Sequence, residues 1–194
     1  MPVTFSLATT APAKAKADVL AVPVFAGRSL GSGAKAVNNA LGGRLADFMA
    51  DAGFDGKADE TLLVPVPGLG APAALLVGLG AKDKLTVDGL RRAAAVLARK
   101  TAKAKTVATT LLDAAPAGSN VAASAAAQAL AEGFSLGTYR FLRYKGKGDP
   151  HAAERVVVLG QKADATQAAL DRGAAVARAV AWARDLVNEP AGTL

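Results

Sequence analysis

Apolar residues along this chain fall into short blocks whose spacing switches between two periods. Residues 3–8 alternate apolar and polar side chains, the period of a strand with one covered face. Val19-Leu20-Ala21-Val22-Pro23-Val24-Phe25 is apolar almost throughout, as suits a strand covered on both faces, and Pro23 predicts an edge position or a bulge there. Two more strands, Leu62-Leu63-Val64-Pro65-Val66 and Ala74-Leu75-Leu76-Val77, are joined by a turn rich in Pro and Gly. Residues 106–112 and 155–160 complete a set of six. Between these runs the spacing becomes helical: residues 34–50, strained or broken near Gly42-Gly43; residues 86–103; an Ala-rich stretch at 121–132; and residues 164–187, ending before Pro190. Buried strands alternating with helices predict an α/β sandwich with a mixed, largely parallel sheet.

The helix at 86–103 is amphipathic. Leu90, Ala94, Leu97, Thr101 and Ala104 form one stripe, while Arg91, Arg92, Arg99, Lys100 and Lys103 occupy the opposite half, where Val96 does not fit. With Lys105, these cations are the strongest polyanion candidate, and residues 88–105 would make a DNA-binding module acting through phosphate neutralisation. A solvated helix face is the commoner use of such a run, and no stacking aromatics interleave it. In the last helix Val176, Val180 and Val187 share a stripe, and Trp182 lies off it by about 140 to 160°. Both are expected to pack, the helix being gripped on two sides as a helix between two domains would be.

Composition narrows the chemistry. The 194 residues are 52% apolar but only 5% aromatic, so the core must be built mainly from Ala, Val and Leu. There is no Cys, which excludes disulfides and thiolate chemistry, and one His, His151, which excludes a metal site built on two imidazoles. The net charge of +7 would attract polyanions without specifying one. No window holds eighteen strongly apolar residues, and the first residues lack a cationic lead followed by an apolar run; a cytoplasmic location without membrane contact is expected.

The local motifs are weak. Gly31-Ser32-Gly33-Ala34-Lys35-Ala36 meets a dinucleotide-loop pattern, but no acidic residue follows at the end of a next strand, and a strand-to-helix loop is the better expectation. Gly78-Leu79-Gly80 is equally ambiguous. His151 has no serine on a sharp turn to serve and reads as a surface-loop histidine.

Three groups of residues carry more information together. They are Gly53-Phe54-Asp55-Gly56-Lys57 with Val77-Gly78-Leu79-Gly80 and the helix bearing Arg91; Glu132-Gly133-Phe134-Ser135-Leu136-Gly137-Thr138-Tyr139-Arg140-Phe141 followed by Tyr144-Lys145; and Leu186-Val187-Asn188-Glu189-Pro190. Read together they resemble the N-terminal domain of the leucyl (cytosol) aminopeptidases, over essentially the whole chain. The resemblance implies a macro-domain-like three-layer sandwich at residues 1–162 and a long C-terminal linker helix at 163–194. That helix would lead to a peptidase domain absent from these 194 residues. It further implies a homo-hexameric parent and two divalent metal ions, zinc or manganese, in the peptidase domain. No catalytic, metal-binding or cofactor-binding residue carries over: Lys145-Gly146-Lys147-Gly148-Asp149 lacks the Thr-Phe-Asp continuation of the family's lysine motif, and Gly192 stands where asparagine is frequent. The expected role is a non-catalytic assembly and regulatory domain. DNA binding and capture of an ADP-ribose-type ligand are the competing expectations.

Overall fold

The computed structural model describes residues 3–115, 121–145, 153–161 and 163–190. In chain order the elements are β1 (Thr4–Ala8), β2 (Val19–Phe25), β3 (Ser29–Leu30), α1 (Ala34–Ala40), α2 (Leu45–Asp51), β4 (Thr61–Pro65), β5 (Ala73–Gly78), α3 (Val87–Lys100), β6 (Thr106–Thr109), α4 (Ala123–Gly137), β7 (Arg155–Leu159) and α5 (Asp164–Asn188). The sheet runs β1-β7-β6-β2-β5-β4, with β3 beside β2. The first five strands of that order are parallel to their neighbours, while β4 and β3 pair antiparallel to β5 and β2.

Each face of the sheet carries its own core. Ala21, Phe25, Leu75, Val77, Val107 and Val156 point to the face covered by α3, α4 and α5. Leu20, Val22, Val24 and Leu76 point to the face covered by α1, α2 and Phe54. The period-two alternation of β2 therefore feeds two cores at once, which is why its sequence is apolar at consecutive positions. Three layers result, as expected for a macro-like sandwich.

Pro23 departs from expectation, because β2 is central and regular. Its ring costs no ladder bond for a positional reason. The Ala21 carbonyl accepts from Thr110 N–H at 3.1 Å, and the Pro23 carbonyl accepts from Gly31 N–H at 3.0 Å. Pro23 therefore faces a gap where β6 has ended and β3 begins, and a donor there would have had no strand partner. The strand expected at 106–112 also ends early: the Thr109 hydroxyl accepts from Leu111 N–H at 3.1 Å and turns the chain into a 3-10 helix at Leu111–Ala114. Gly42 and Gly43, with φ of +65 and +87°, break the first helical stretch into α1 and α2 as anticipated.

On the three-helix face small residues set the spacing. A Cβ on Gly133 of α4 would lie 2.0 Å from the Arg91 carbonyl oxygen of α3, and one on Gly173 of α5 would lie 2.4 Å from the Gln128 carbonyl oxygen of α4. Backbones this close explain how a core with few aromatics remains filled. Phe5 and Phe134 meet edge to face beneath it, 6.1 Å apart.

Candidate functional site

The basic helix divides when its side chains are located. Arg91 donates from Nε to the Glu132 carboxylate at 2.8 Å and from an Nη to Asp88 at 2.9 Å, joining α3 to α4. Glu132 is buried, and its other oxygen accepts from Gln128 Nε2 at 2.7 Å. The hydrogen bond that Arg91 donates to Glu132 outweighs burial and raises the Arg91 pKa above its ordinary value. Arg91 is thus part of the packing. Arg92, Arg99, Lys100 and Lys103 are exposed, and Arg92 lies 3.6 Å from Asp88. Val96 is buried, so the apolar surface of α3 is wider than its sequence stripe.

The glycine loops are structural. Gly33, φ +80°, ends the turn before the short helix α1, and the Ser32 hydroxyl donates to Asp113 at 2.9 Å while Thr110 donates to the Ser32 carbonyl at 2.6 Å. A cleft of about 750 Å³ opens here at the carboxyl ends of β1, β6 and β7, the place where open α/β sheets hold ligands. Asp113 is the one charged side chain among its described lining residues, which is a poor match to a diphosphate. Gly78 serves contact instead: a Cβ there would lie 2.0 Å from the Lys57 carbonyl oxygen.

No three His, Asp or Glu side chains gather as metal ligands among the described residues. A two-metal centre needs a converging set of oxygen and nitrogen donors, and the described part of this chain does not supply one. His151 and the stretch 146–150 lie outside the described residues, as do residues 191–194 with Gly192.

What the fold does bring together is the set of segments that carry the resemblance, two by two. Gly56 accepts from Gly80 N–H at 3.0 Å, and the loop between them is tied by Glu60, whose carboxylate accepts from the N–H groups of Asp55 and Lys57, both at 3.0 Å. These backbone donors, Asp55 first, hold the Glu60 pKa below its ordinary value. Arg91 meets Glu132 and Gly133. Tyr139 donates to Asp185 at 2.8 Å and accepts from Asn188 at 3.4 Å, and the Arg184 guanidinium lies 5.5 Å from the Tyr139 ring centre. Arg143 donates to Glu189 at 3.0 Å, and the Tyr144 hydroxyl donates to the other Glu189 oxygen. The sequence gives no direct sign of these pairings; only the co-occurrence of the motifs hinted at them.

Most of the large apolar side chains left exposed among the described residues lie on the far half of α5. Ala169, Leu170, Gly173, Ala174 and Ala177 are buried, and no residue from 178 to 188 is. Trp182 is 67% exposed and Val187 85% exposed, with Val176 and Leu186 also exposed. The expectation that they pack is therefore not met within this chain. Ala175, Ala179, Ala183 and Leu186 fill the space between Trp182 and Val180, so these side chains make one charge-free arc of about 160°, on the side of α5 away from its buried residues.

Comparison with known proteins completes the description. Residues 21–148 match the family described as the cytosol aminopeptidase family, N-terminal domain. A probable cytosol aminopeptidase of Streptomyces coelicolor is 35% identical over 97% of this chain, which covers 40% of that protein. Curated relatives are matched over 28 to 40% of their own length. A tomato leucine aminopeptidase variant superposes with a TM-score of 0.80 at 22% identity, covering 99% of this chain and 39% of the other. The macro domain of ganglioside induced differentiation associated protein 2 superposes at 0.57 with 13% identity, covering 87% of this chain and 81% of that one, and supports the fold alone.

Proposed function

This chain belongs to the cytosol aminopeptidase family, as its N-terminal domain, and from that premise we propose that it is the non-catalytic assembly and regulatory part of a metal-dependent leucyl aminopeptidase. The observation that carries the proposal is the open apolar arc on the end of α5. A surface of this kind calls for a partner, and the relatives' chains extend well beyond the matched portion. The partner is the peptidase part of the same protein, which removes N-terminal residues from peptides and holds the two divalent ions, zinc or manganese. A homo-hexameric assembly and a cytoplasmic location belong to the same proposal; no helix among the described residues is long and apolar enough to cross a membrane.

A chimera tests it. Residues 1–190 of this chain replace the matched first portion of the Streptomyces coelicolor relative. The expected product is an assembled, active aminopeptidase, and the same relative with that portion deleted is expected to lose assembly. Equal assembly and activity with and without the domain would contradict the role.

DNA binding remains a second proposal, on one specific observation. Arg92 and Arg99 are exposed within about 20° of one another on the α3 wheel, Lys103 is exposed in the turn that follows the helix, and no ion pair among the described residues engages Arg99, Lys100 or Lys103. A gel shift is expected to weaken steeply between low and moderate salt, and the double change Arg99→Ala with Lys103→Ala should reduce the salt slope by about 2. Binding indifferent to both changes removes it.

A further inference from the structure

The end of α5 has little apolar support: beyond Ala177 only Val180 and Ala181 are half-buried. Beyond Ala177, the last buried residue, about three turns of helix run to Asn188. The packed half supplies the helix nucleus, but an exposed helix end frays unless something holds it. On its inward side it meets the segment that follows α4. Asp185 and Asn188 hold the Tyr139 hydroxyl, and Arg184 lies against the Tyr139 ring. At the helix terminus Glu189 takes Arg143 and Tyr144, and its side chain is only 5% exposed. A carboxylate covered to that degree requires its partners, so this is a specified contact rather than a chance surface pair. Arg184, Asp185 and Asn188 fall on the side of the wheel opposite the apolar arc.

We propose that Tyr139, Arg143 and Tyr144 form a clip that keeps the last turns of α5 helical against the segment after α4, so that the charge-free arc stays facing outward. The clip deepens the function proposed above and rests on it for its purpose: it would set the angle at which the peptidase part is presented to the N-terminal domain. Its existence as a clip is testable on this chain alone. Tyr139, Arg143 and Tyr144 act here as positioning residues, through α5.

The variant carries Tyr139→Phe, Tyr144→Phe and Glu189→Gln, which keep the shape of each side chain and remove the hydroxyls and the charge. Amide hydrogen exchange followed by mass spectrometry is expected to accelerate about tenfold over residues 181–188, with 164–177 unchanged. Trp182 is the only tryptophan, so its time-resolved anisotropy reports the same region without a label, and faster local depolarisation is expected. Unchanged exchange and anisotropy would overturn the clip. Acceleration spread equally over α4 and all of α5 would also overturn it, because these residues would then be general supports of the fold. Either result leaves the chimera experiment unaffected, so failure of the clip and failure of the functional proposal are distinguishable.

Discussion

Gly133 and Glu132 are neighbours in α4 that do opposite things to the same residue of α3. Gly133 lets the helix approach the Arg91 carbonyl oxygen, and Glu132 holds the Arg91 guanidinium. Gly133→Ala places a carbon 2.0 Å from a backbone oxygen that cannot swing away, and it is expected to cost about 1–3 kcal/mol, read as a lower denaturant midpoint. Glu132→Ala leaves a partly exposed guanidinium short of a partner. Because the Arg91 side chain is 36% exposed, water makes up some of the loss, and about 1–2 kcal/mol is expected. Glu60 supplies a pH effect. Its folded pKa is depressed by the Asp55 and Lys57 N–H groups, so its contribution is complete above the ordinary glutamate value and is lost as pH falls through the lower folded one. An NMR titration should find the Asp55 and Lys57 amide shifts moving together below the ordinary glutamate range; a midpoint at or above that range would contradict the tie. At this scale the sequence displayed the motif residues but not their work. Arg91 looked like one more cation on a basic face, because nothing local marks a partner forty-one positions away.

Elements were the most legible level. The strands of the parallel core and α3 and α5 lie close to where period and composition place them, whereas α4 runs to Gly137, five residues past its expected end, and the two-residue β3 was not anticipated. The misses have local causes. Pro23 suggested an edge because the gap between β6 and β3 is a property of two other strands. The end of β6 was hidden because one threonine hydroxyl redirects the chain. In α5 the pattern correctly signalled apolar faces but could not say whether anything covers them. Two substitutions separate its halves. Leu170→Ala, in the buried half, is expected to cost about 2–5 kcal/mol. Trp182→Ala should change the stability of this chain by no more than about 0.5 kcal/mol, because the side chain has little to lose. A thermal or denaturant melt that ranks them the other way would mean that the end of α5 is packed in solution.

For the molecule as a whole, the fold explains why the family was recognisable from scattered motifs. Gly56 with Gly80, Arg91 with Glu132 and Gly133, and Tyr139 and Tyr144 with the end of α5 are contacts that hold loops and helices in place. The apolar residues of α5 were legible in the sequence, while the openness of the arc they form needed three dimensions to be seen. The central claim is that this chain is a platform, and that peptide hydrolysis is the work of the part that its relatives carry beyond it. The direct measurement is release of leucine from leucine amide by the purified 194-residue chain with manganese or zinc added. The account predicts no release above the buffer with metal; metal-dependent turnover that persists through repurification would contradict it.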